Sequence, residues 1–165
     1  MYKHPYEILA LANSAKLILT PCPGTKLVGL EDSIKQLKQE GTSMLITLMF
    51  DKEMAANNIF SLPELCQQHK IKWLQLPIVD DEAPSEAFES KWKKYKTIML
   101  TELQNKGVIA VHCKGGTGRT GTVIALLLLE LGWPINQIIK AVQNVKPNAL
   151  TINKQRDYLH SQLSG

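Results

Sequence analysis

The sequence predicts an α/β fold in which a central, mainly parallel sheet of about four to five strands carries helices on both faces. Short apolar runs typical of buried strands alternate with longer stretches of helical periodicity. Residues 126–129 are four consecutive leucines, apolar on every side, as expected of a helix at the centre of a domain. A chain of 165 residues is long enough to bury a core of its own. We therefore expect residues 1–165 to form one domain.

The predicted elements follow in order along the chain. Four apolar runs rich in Ile, Leu and Val are predicted strands, at residues 15–20, 44–48, 72–78 and 108–112. Six segments are predicted helices, at residues 31–40, 62–70, 85–106, 118–131, 135–145 and 153–163. Parallel strands need a long crossover connection, usually a helix, so this alternation favours parallel pairing.

Composition excludes several classes of protein. A hydrophobic fraction of 44% with 21% charged residues is typical of a globular chain and not of a disordered one. The net charge of +4 is too small, and too scattered, for a nucleic-acid-binding surface. The longest apolar run, residues 123–129, is far shorter than the roughly 20 residues of a membrane span. Three scattered cysteines indicate a reducing compartment, so we expect a cytoplasmic protein without stable membrane insertion.

One loop carries the chemistry that the sequence predicts. The segment VHCKGGTGRTG, residues 111–121, lies between the last predicted strand and the apolar helix, where α/β sheets bind ligands. Gly115, Gly116 and Gly118 let the backbone fold tightly and turn several N–H groups inward. With the dipole of the following helix, such a loop is an anion site suited to phosphate. The same field stabilises a thiolate at Cys113, and Arg119 can hold two phosphate oxygens at once.

The glycines of the same loop suggest two other phosphate-binding motifs, and the surrounding sequence excludes both. Residues 116–121 satisfy the pattern GxGxxG of dinucleotide-binding proteins. That motif needs an acidic residue at the end of the next strand, and no further strand is predicted after Gly121. A nucleotide-triphosphate loop needs Lys after its last glycine, where this chain has Thr122.

The loop resembles the HCxxGxxR[ST]G signature of the protein tyrosine phosphatase superfamily at every constrained position. Upstream, LPIVDDEAP at residues 76–84 resembles the general-acid loop of the dual-specificity branch, P-I-x-D-x-x-x-P. The segments PGTK at residues 23–26 and ALTINKQRDYL at residues 149–159 are similar to the kinase-associated phosphatase type, so the resemblance covers roughly residues 22–163. Low-molecular-weight phosphatases share the Cys-x5-Arg loop but carry it near the N-terminus with the acid downstream. Here Asp80 precedes Cys113 by 33 residues, which fits the dual-specificity order.

The resemblance implies a role for each residue of the site. Cys113 is the nucleophile, and Arg119 with the amides of Lys114, Gly115, Gly116, Thr117 and Gly118 binds the phosphoryl oxygens. Asp80 is the implied general acid, although the adjacent Asp81 is not separated from it by spacing alone. Thr120 is implied to hydrogen-bond the cysteine sulfur, and His112 to orient the loop. No cofactor is implied, and the four histidines show no metal-ligand spacing.

Glu53 and Gln155 occupy positions where related sequences carry similar residues. They could brace Arg119 or position a water molecule, but the interpretation favoured by the sequence is that they are surface polar residues.

The expected activity is hydrolysis of phosphomonoesters of phosphoproteins, by a monomer with no nucleic-acid partner. Phosphotyrosine-specific members resemble longer domains with a deeper pocket, so a shallower pocket open to phosphotyrosine, phosphoserine and phosphothreonine is expected. Lys114 raises a lipid-phosphate alternative, because phosphoinositide phosphatases carry that Lys too; they add a second Lys where this chain has Thr117. A phosphate-binding module without turnover and a sulfur-transfer enzyme remain as further alternatives.

Overall fold

The computed structural model describes residues 2–164 and contains one five-stranded sheet. The strands are β1 (Glu7–Ala10), β2 (Lys16–Thr20), β3 (Met44–Thr47), β4 (Lys72–Gln75) and β5 (Val108–His112), in the spatial order β1-β2-β5-β3-β4. The pairs β2–β5, β5–β3 and β3–β4 are parallel, and β1 pairs antiparallel with β2. The four predicted strands and the mainly parallel sheet are confirmed, whereas the edge strand β1 was not predicted.

Seven α-helices occur in the described part of the chain. They are α1 (Leu30–Gln39), α2 (Asp51–Ala56), α3 (Leu62–Gln68), α4 (Glu86–Gln104), α5 (Gly118–Glu130), α6 (Ile135–Val145) and α7 (Asn153–Ser161), followed by a 3-10 turn over Gln162–Ser164. Six of these helices match predicted ones. The short helix α2 was not predicted. None of the helices among residues 2–164 is long and apolar enough to cross a membrane.

The core divides into two apolar clusters, one on each face of the sheet. Along β5, Ile109 and Val111 belong to the cluster that includes α4, α5, α6 and α7, whereas Val108 and Ala110 belong to the cluster that includes α1, α2 and α3. This alternation is the two-residue period of a strand buried on both faces. The helix α5 is buried from Arg119 to Leu128, which confirms that the leucine run lies in the core.

The strand order brings three loops together at one edge of the sheet. Thr20, Thr47 and His112 end β2, β3 and β5, and His112 is in register with both threonines. Because these strands are parallel, the segments that follow them leave from the same edge. Residues 113–117 lead into α5, residues 48–50 lead into α2, and residues 76–85, which follow β4, lead into α4. The candidate site is built from these segments.

Candidate active site

The loop between β5 and α5 is packed against the end of β2. The amide of Cys22 donates a hydrogen bond to the carbonyl of Lys114 at 3.0 Å. Gly116 has a φ of +77°, and a Cβ atom there would lie 2.5 Å from the backbone of Thr20 and of Pro21. Only glycine fits such a position, since any other residue would be both strained and overlapped. The neighbouring strand therefore fixes the shape of the loop.

The Cys113 sulfur is almost fully buried and accepts two hydrogen bonds. The Gly116 amide lies 3.3 Å from it and the Thr120 hydroxyl 3.1 Å. Both donors stabilise negative charge on sulfur, and the N-terminus of α5, which begins at Gly118, adds its dipole. The arrangement suits the sulfur of Cys113 to nucleophilic attack.

The other two cysteines have no such surroundings. Burial raises the pKa of the Cys22 thiol and of the Cys66 thiol to about 12, so both stay protonated near neutral pH. A protonated, buried thiol is a poor nucleophile. Cys113 is thus the cysteine whose environment favours reaction.

His112, the last residue of β5, is hydrogen-bonded to the first residue of the loop. Its Nδ1 lies 3.1 Å from the carbonyl oxygen of Cys113, and its Nε2 lies 2.8 Å from the Thr47 hydroxyl. That hydroxyl also accepts a hydrogen bond from the Trp73 indole at 2.8 Å. Burial lowers the pKa of His112 to about 4, so the ring is neutral; Nδ1 donates to the carbonyl and Nε2 accepts from Thr47. These contacts orient the loop, the role that the resemblance implied.

Arg119 is fully buried at the centre of the site. Its Nη1 donates to the two carboxylate oxygens of Glu53 at 3.0 and 3.1 Å and to the carbonyl of Ile78 at 3.0 Å. Its Nε has no hydrogen-bond partner among the described residues, and Asp80 Oδ1 lies 3.5 Å away. One edge of the guanidinium is therefore fixed by protein, and the Nε donor remains for an oxygen of a bound anion.

Glu53 lies on α2, which was not predicted. The first turn of that helix is closed by the Glu53 carboxylate, which accepts a hydrogen bond from the Phe50 amide at 3.0 Å. The same carboxylate pairs with Arg119. The interpretation of Glu53 as a surface polar residue was therefore wrong. No local signal marks it, because its partner lies 66 residues away in the sequence.

The loop that carries Asp80 and Asp81, residues 76–85, contacts the site through the backbone of Ile78. The Ile78 amide donates to the Leu48 carbonyl at 3.1 Å, and the Ile78 carbonyl accepts from Arg119. Within the described residues, Asp80 makes an ion pair with Arg119, whereas Asp81, which has a φ of +63°, makes none. The Asp80 side chain is 69% exposed, so a substrate can reach it. The geometry favours Asp80 over Asp81 as the acid.

Gln155 attaches the same loop to the last helix. It is fully buried, and its Nε2 donates to the carbonyl of Glu82 at 3.1 Å. Lys154 binds both carboxylate oxygens of Glu82, at 2.8 and 3.0 Å. A Cβ atom on Gly118 would lie 3.5 Å from the Gln155 amide, whose Oε1 has no partner among the described residues. The interpretation of Gln155 as a surface residue was wrong: it lies between the acid loop and the phosphate loop.

The structure thus brings together the site residues predicted from the sequence. Cys113, Arg119 and Thr120 lie in or directly after the β5–α5 loop, Asp80 lies beside Arg119, and Lys114 is exposed at the loop surface. Within residues 2–164 no group of three or more His, Cys, Asp or Glu side chains is arranged to hold a metal ion.

Comparison with known proteins gives the class of the chain. A family model described as Swiss Army Knife protein, DSP-PTPase phosphatase domain, matches residues 26–162. The chain therefore belongs to the dual-specificity phosphatase branch of the protein tyrosine phosphatases, and it is a cysteine-based phosphatase.

Two relatives and one solved structure are similar to it in detail. Cyclin-dependent kinase inhibitor 3 of Rattus norvegicus is 30% identical over 149 residues, which cover 86% of this chain and 69% of the relative. The tyrosine-protein phosphatase CDC14 homolog of Schizosaccharomyces pombe is 38% identical over 63 residues, 38% of this chain and 12% of that protein. A crystal structure of kinase associated phosphatase, with serine in place of its catalytic cysteine, has a TM-score of 0.86 and 25% identity and covers 99% of this chain and 96% of that one. These likenesses confirm the resemblance to the kinase-associated type.

Proposed function

We propose that this phosphatase hydrolyses phosphomonoesters of phosphoproteins through a phosphocysteine intermediate, with Cys113, Arg119, Asp80 and Thr120 as its catalytic residues. The observation that carries the proposal is the placement of the Cys113 sulfur between two hydrogen-bond donors, beside a buried arginine that is itself paired with an exposed carboxyl group. Each of the four residues has a separate task in the two steps of the reaction.

In the first step the Cys113 thiolate attacks phosphorus in line with the ester oxygen. A sulfur–phosphorus bond forms and the phosphorus–oxygen bond breaks, while Asp80 gives its proton to the leaving oxygen. The charge on the three equatorial oxygens is held by Arg119 Nε and by the backbone amides from Lys114 to Gly118. Glu53 keeps the guanidinium in the orientation that this requires.

In the second step water attacks the phosphocysteine. Asp80, now a carboxylate, takes a proton from that water, and the sulfur–phosphorus bond breaks to release inorganic phosphate and the Cys113 thiolate. The Thr120 hydroxyl, 3.1 Å from the sulfur, stabilises the negative charge that the departing sulfur acquires. The reaction needs only these protein groups and water.

The substrate we propose is a phosphoprotein carrying phosphotyrosine, with phosphoserine and phosphothreonine also accepted. Two named relatives support a protein substrate, a kinase-associated phosphatase and a tyrosine-protein phosphatase. Lys114 is the single lysine of the loop and is exposed, so it also supports the second candidate, a phosphoinositide. One added cation suits one phosphate group better than several. We assign the activity to one cytoplasmic, monomeric domain that spans the chain.

Phosphate release from a substrate panel, measured in the presence of a chelator, tests this function. The panel contains an aryl phosphate, phosphotyrosine, phosphoserine and phosphothreonine peptides, and phosphoinositides, with Cys113→Ser as the blank. Faster turnover of peptides than of lipids, lost in Cys113→Ser, is the expected result. Faster turnover of lipids would make the phosphoinositide reaction the function.

Two other outcomes would remove the proposal. Binding of phosphopeptides without turnover of any substrate would make the chain a phosphate-binding module. Sulfur transfer from thiosulfate that persists in Asp80→Asn would make it a sulfur-transfer enzyme, since that chemistry needs no general acid on the 76–85 segment.

A further inference from the structure

A cavity of about 430 Å³ opens beside the candidate active site, between α2, β4 and the start of α4. We call it the side groove. Its lining includes Phe50, Lys52, Gln75, Pro77, Phe88 and Lys91. The volume lies within the range of about 300–1,000 Å³ found for ligand sites. None of these side chains takes part in the reaction derived above.

Two residues of the groove wall are connected to groups that hold Arg119 in the phosphate site. The Phe50 amide is hydrogen-bonded to the Glu53 carboxylate, which holds Arg119. Pro77 directly precedes Ile78, whose carbonyl accepts from the same guanidinium. Two segments that line the groove therefore also carry the groups that hold Arg119, which places the groove next to the phosphate site.

The floor of the side groove is aromatic. Phe88 is buried and stacks on Trp92 with ring centroids 5.7 Å apart, so its position is fixed. Phe50 is 42% exposed, an unusual state for a phenylalanine, and its ring is available at the groove wall. A large apolar side chain placed against the Phe50 ring would remove the exposed area of that ring from water.

The rim of the side groove is positively charged. Lys52 and Lys91 are exposed at its edge, and one carboxylate, that of Asp51, faces them. That carboxylate accepts a hydrogen bond from the Gln75 side chain at 2.9 Å, and Lys91 lies 3.4 Å from the Gln75 carbonyl. The two lysines carry one positive charge more than the Asp51 carboxylate can balance. This excess positive charge complements an acidic side chain.

We propose that the side groove binds the substrate polypeptide beside its phosphorylated residue, taking one large apolar side chain against Phe50 and one acidic side chain at Lys52 and Lys91. The inference rests on the proposed function and specifies which residues the enzyme prefers beside the phosphorylated residue of its substrate. The aromatic floor favours a polypeptide over an inositol headgroup, whose hydroxyls and phosphates have no apolar part to bury.

Phosphotyrosine peptides of one length test the preference. Peptides with Leu or Phe and Glu within about four residues of the phosphotyrosine, a reach of about 13 Å in extended chain, are compared with peptides carrying Ala there. We expect about tenfold higher kcat/KM for the apolar and acidic peptides, mainly through KM. Equal kcat/KM across the peptides would overturn this inference alone. No peptide turnover, with aryl phosphate turnover intact, would overturn the proposed function as well.

Matched variants test the location. In Phe50→Ala and Lys91→Glu we expect the peptide preference to fall about threefold each, because each variant removes one of the two contacts. Phe60→Ala and Lys93→Glu are the controls, since Phe60 is 76% exposed, Lys93 is on the same helix as Lys91, and neither lines the groove. The preference should be unchanged in both.

A small aryl phosphate, too short to enter the side groove, measures the catalytic centre separately. A fall in the peptide preference in Phe50→Ala and Lys91→Glu, with aryl phosphate turnover unchanged, supports the proposal. Equal loss on peptide and aryl phosphate, or the same loss in the control variants, would contradict it.

Discussion

Glu53 and Arg119 form an ion pair across 66 residues of sequence, with both carboxylate oxygens within 3.1 Å of one guanidinium nitrogen. The arginine is 1% exposed and the glutamate 30% exposed, so the pair is shielded on one side and open to solvent on the other. The contact joins α2 to the phosphate loop. The Nε atom of the guanidinium lies 3.5 Å from Oδ1 of Asp80, the proposed general acid.

Replacing this glutamate should weaken the binding of the transition state. In Glu53→Gln we expect kcat/KM for an aryl phosphate to fall about 10–100-fold, because the negative partner of a buried positive charge is lost and the guanidinium can turn away. Steady-state kinetics measure it, with Glu64→Gln on α3 as an exposed control. A change of less than about twofold would show that Arg119 does not depend on Glu53.

The two adjacent aspartates should differ in their effect on leaving groups. In Asp80→Asn we expect kcat to fall about 10²–10⁴-fold for phosphoserine peptides, whose alkoxide must be protonated, and much less for p-nitrophenyl phosphate, whose leaving group is stable unprotonated. Asp81→Asn should change either rate by less than about threefold. Rates for both substrates in the two variants measure the contrast. The reverse pattern would make Asp81 the acid.

The Thr120 hydroxyl should act mainly when sulfur leaves phosphorus. In Thr120→Ala we expect the second step to slow about tenfold, so that a burst of p-nitrophenol precedes a slower steady rate. Thr120→Ser keeps the hydroxyl and should restore the steady rate. Stopped-flow absorbance measures the burst. Equal slowing of both phases, without a larger burst, would assign Thr120 to packing only.

Two buried histidines should make the fold sensitive to acid. Burial lowers the pKa of His4 and of His112 to about 4, below the ordinary value of 6.5. The unfolded chain therefore takes up protons first as the pH falls, and stability is lost between about pH 6.5 and pH 4. Each histidine contributes up to about 3 kcal/mol above that range.

Urea unfolding at several pH values measures this loss. The unfolding free energy should be nearly constant above pH 7, and its slope below pH 6.5 should be smaller in His4→Gln than in the parent chain. His69→Gln, at a half-buried site at the end of α3, should keep the parent slope. An unchanged slope in His4→Gln would show that His4 is not one of the titrating groups.

The sequence was most informative for features whose residues lie close together in the chain. The β5–α5 loop was predicted residue by residue, because its glycines, Cys113 and Arg119 lie within a few positions of one another. The strand β1 was missed because four residues, EILA, form it only by pairing with β2. The helix α2 was missed for a similar reason: its six residues are too few for a stable isolated helix.

The residues that surround Arg119 could not be predicted for another reason. Glu53 and Gln155 are polar side chains on short helices, and local pattern places such residues at the surface. Each is instead held by a partner far away in the sequence, Glu53 by Arg119 and Gln155 by Glu82. Contacts between residues so far apart in the sequence depend on the whole fold and produce no periodic pattern in the sequence.

The close approach of Gly116 to the end of β2 has a consequence for the cost of binding. Fixing the backbone of a free residue costs about 1–2 kcal/mol of conformational entropy, so ordering five loop residues on arrival of phosphate would cost on the order of 5–10 kcal/mol. Here the end of β2 and the residues after it already contact the loop, since a Cβ on Gly116 would lie only 2.5 Å from Thr20 and Pro21 and the Cys22 amide binds the Lys114 carbonyl. The entropy of the contacts that already hold the loop is lost during folding, and the affinity of the loop for a phosphoryl group is not reduced by it.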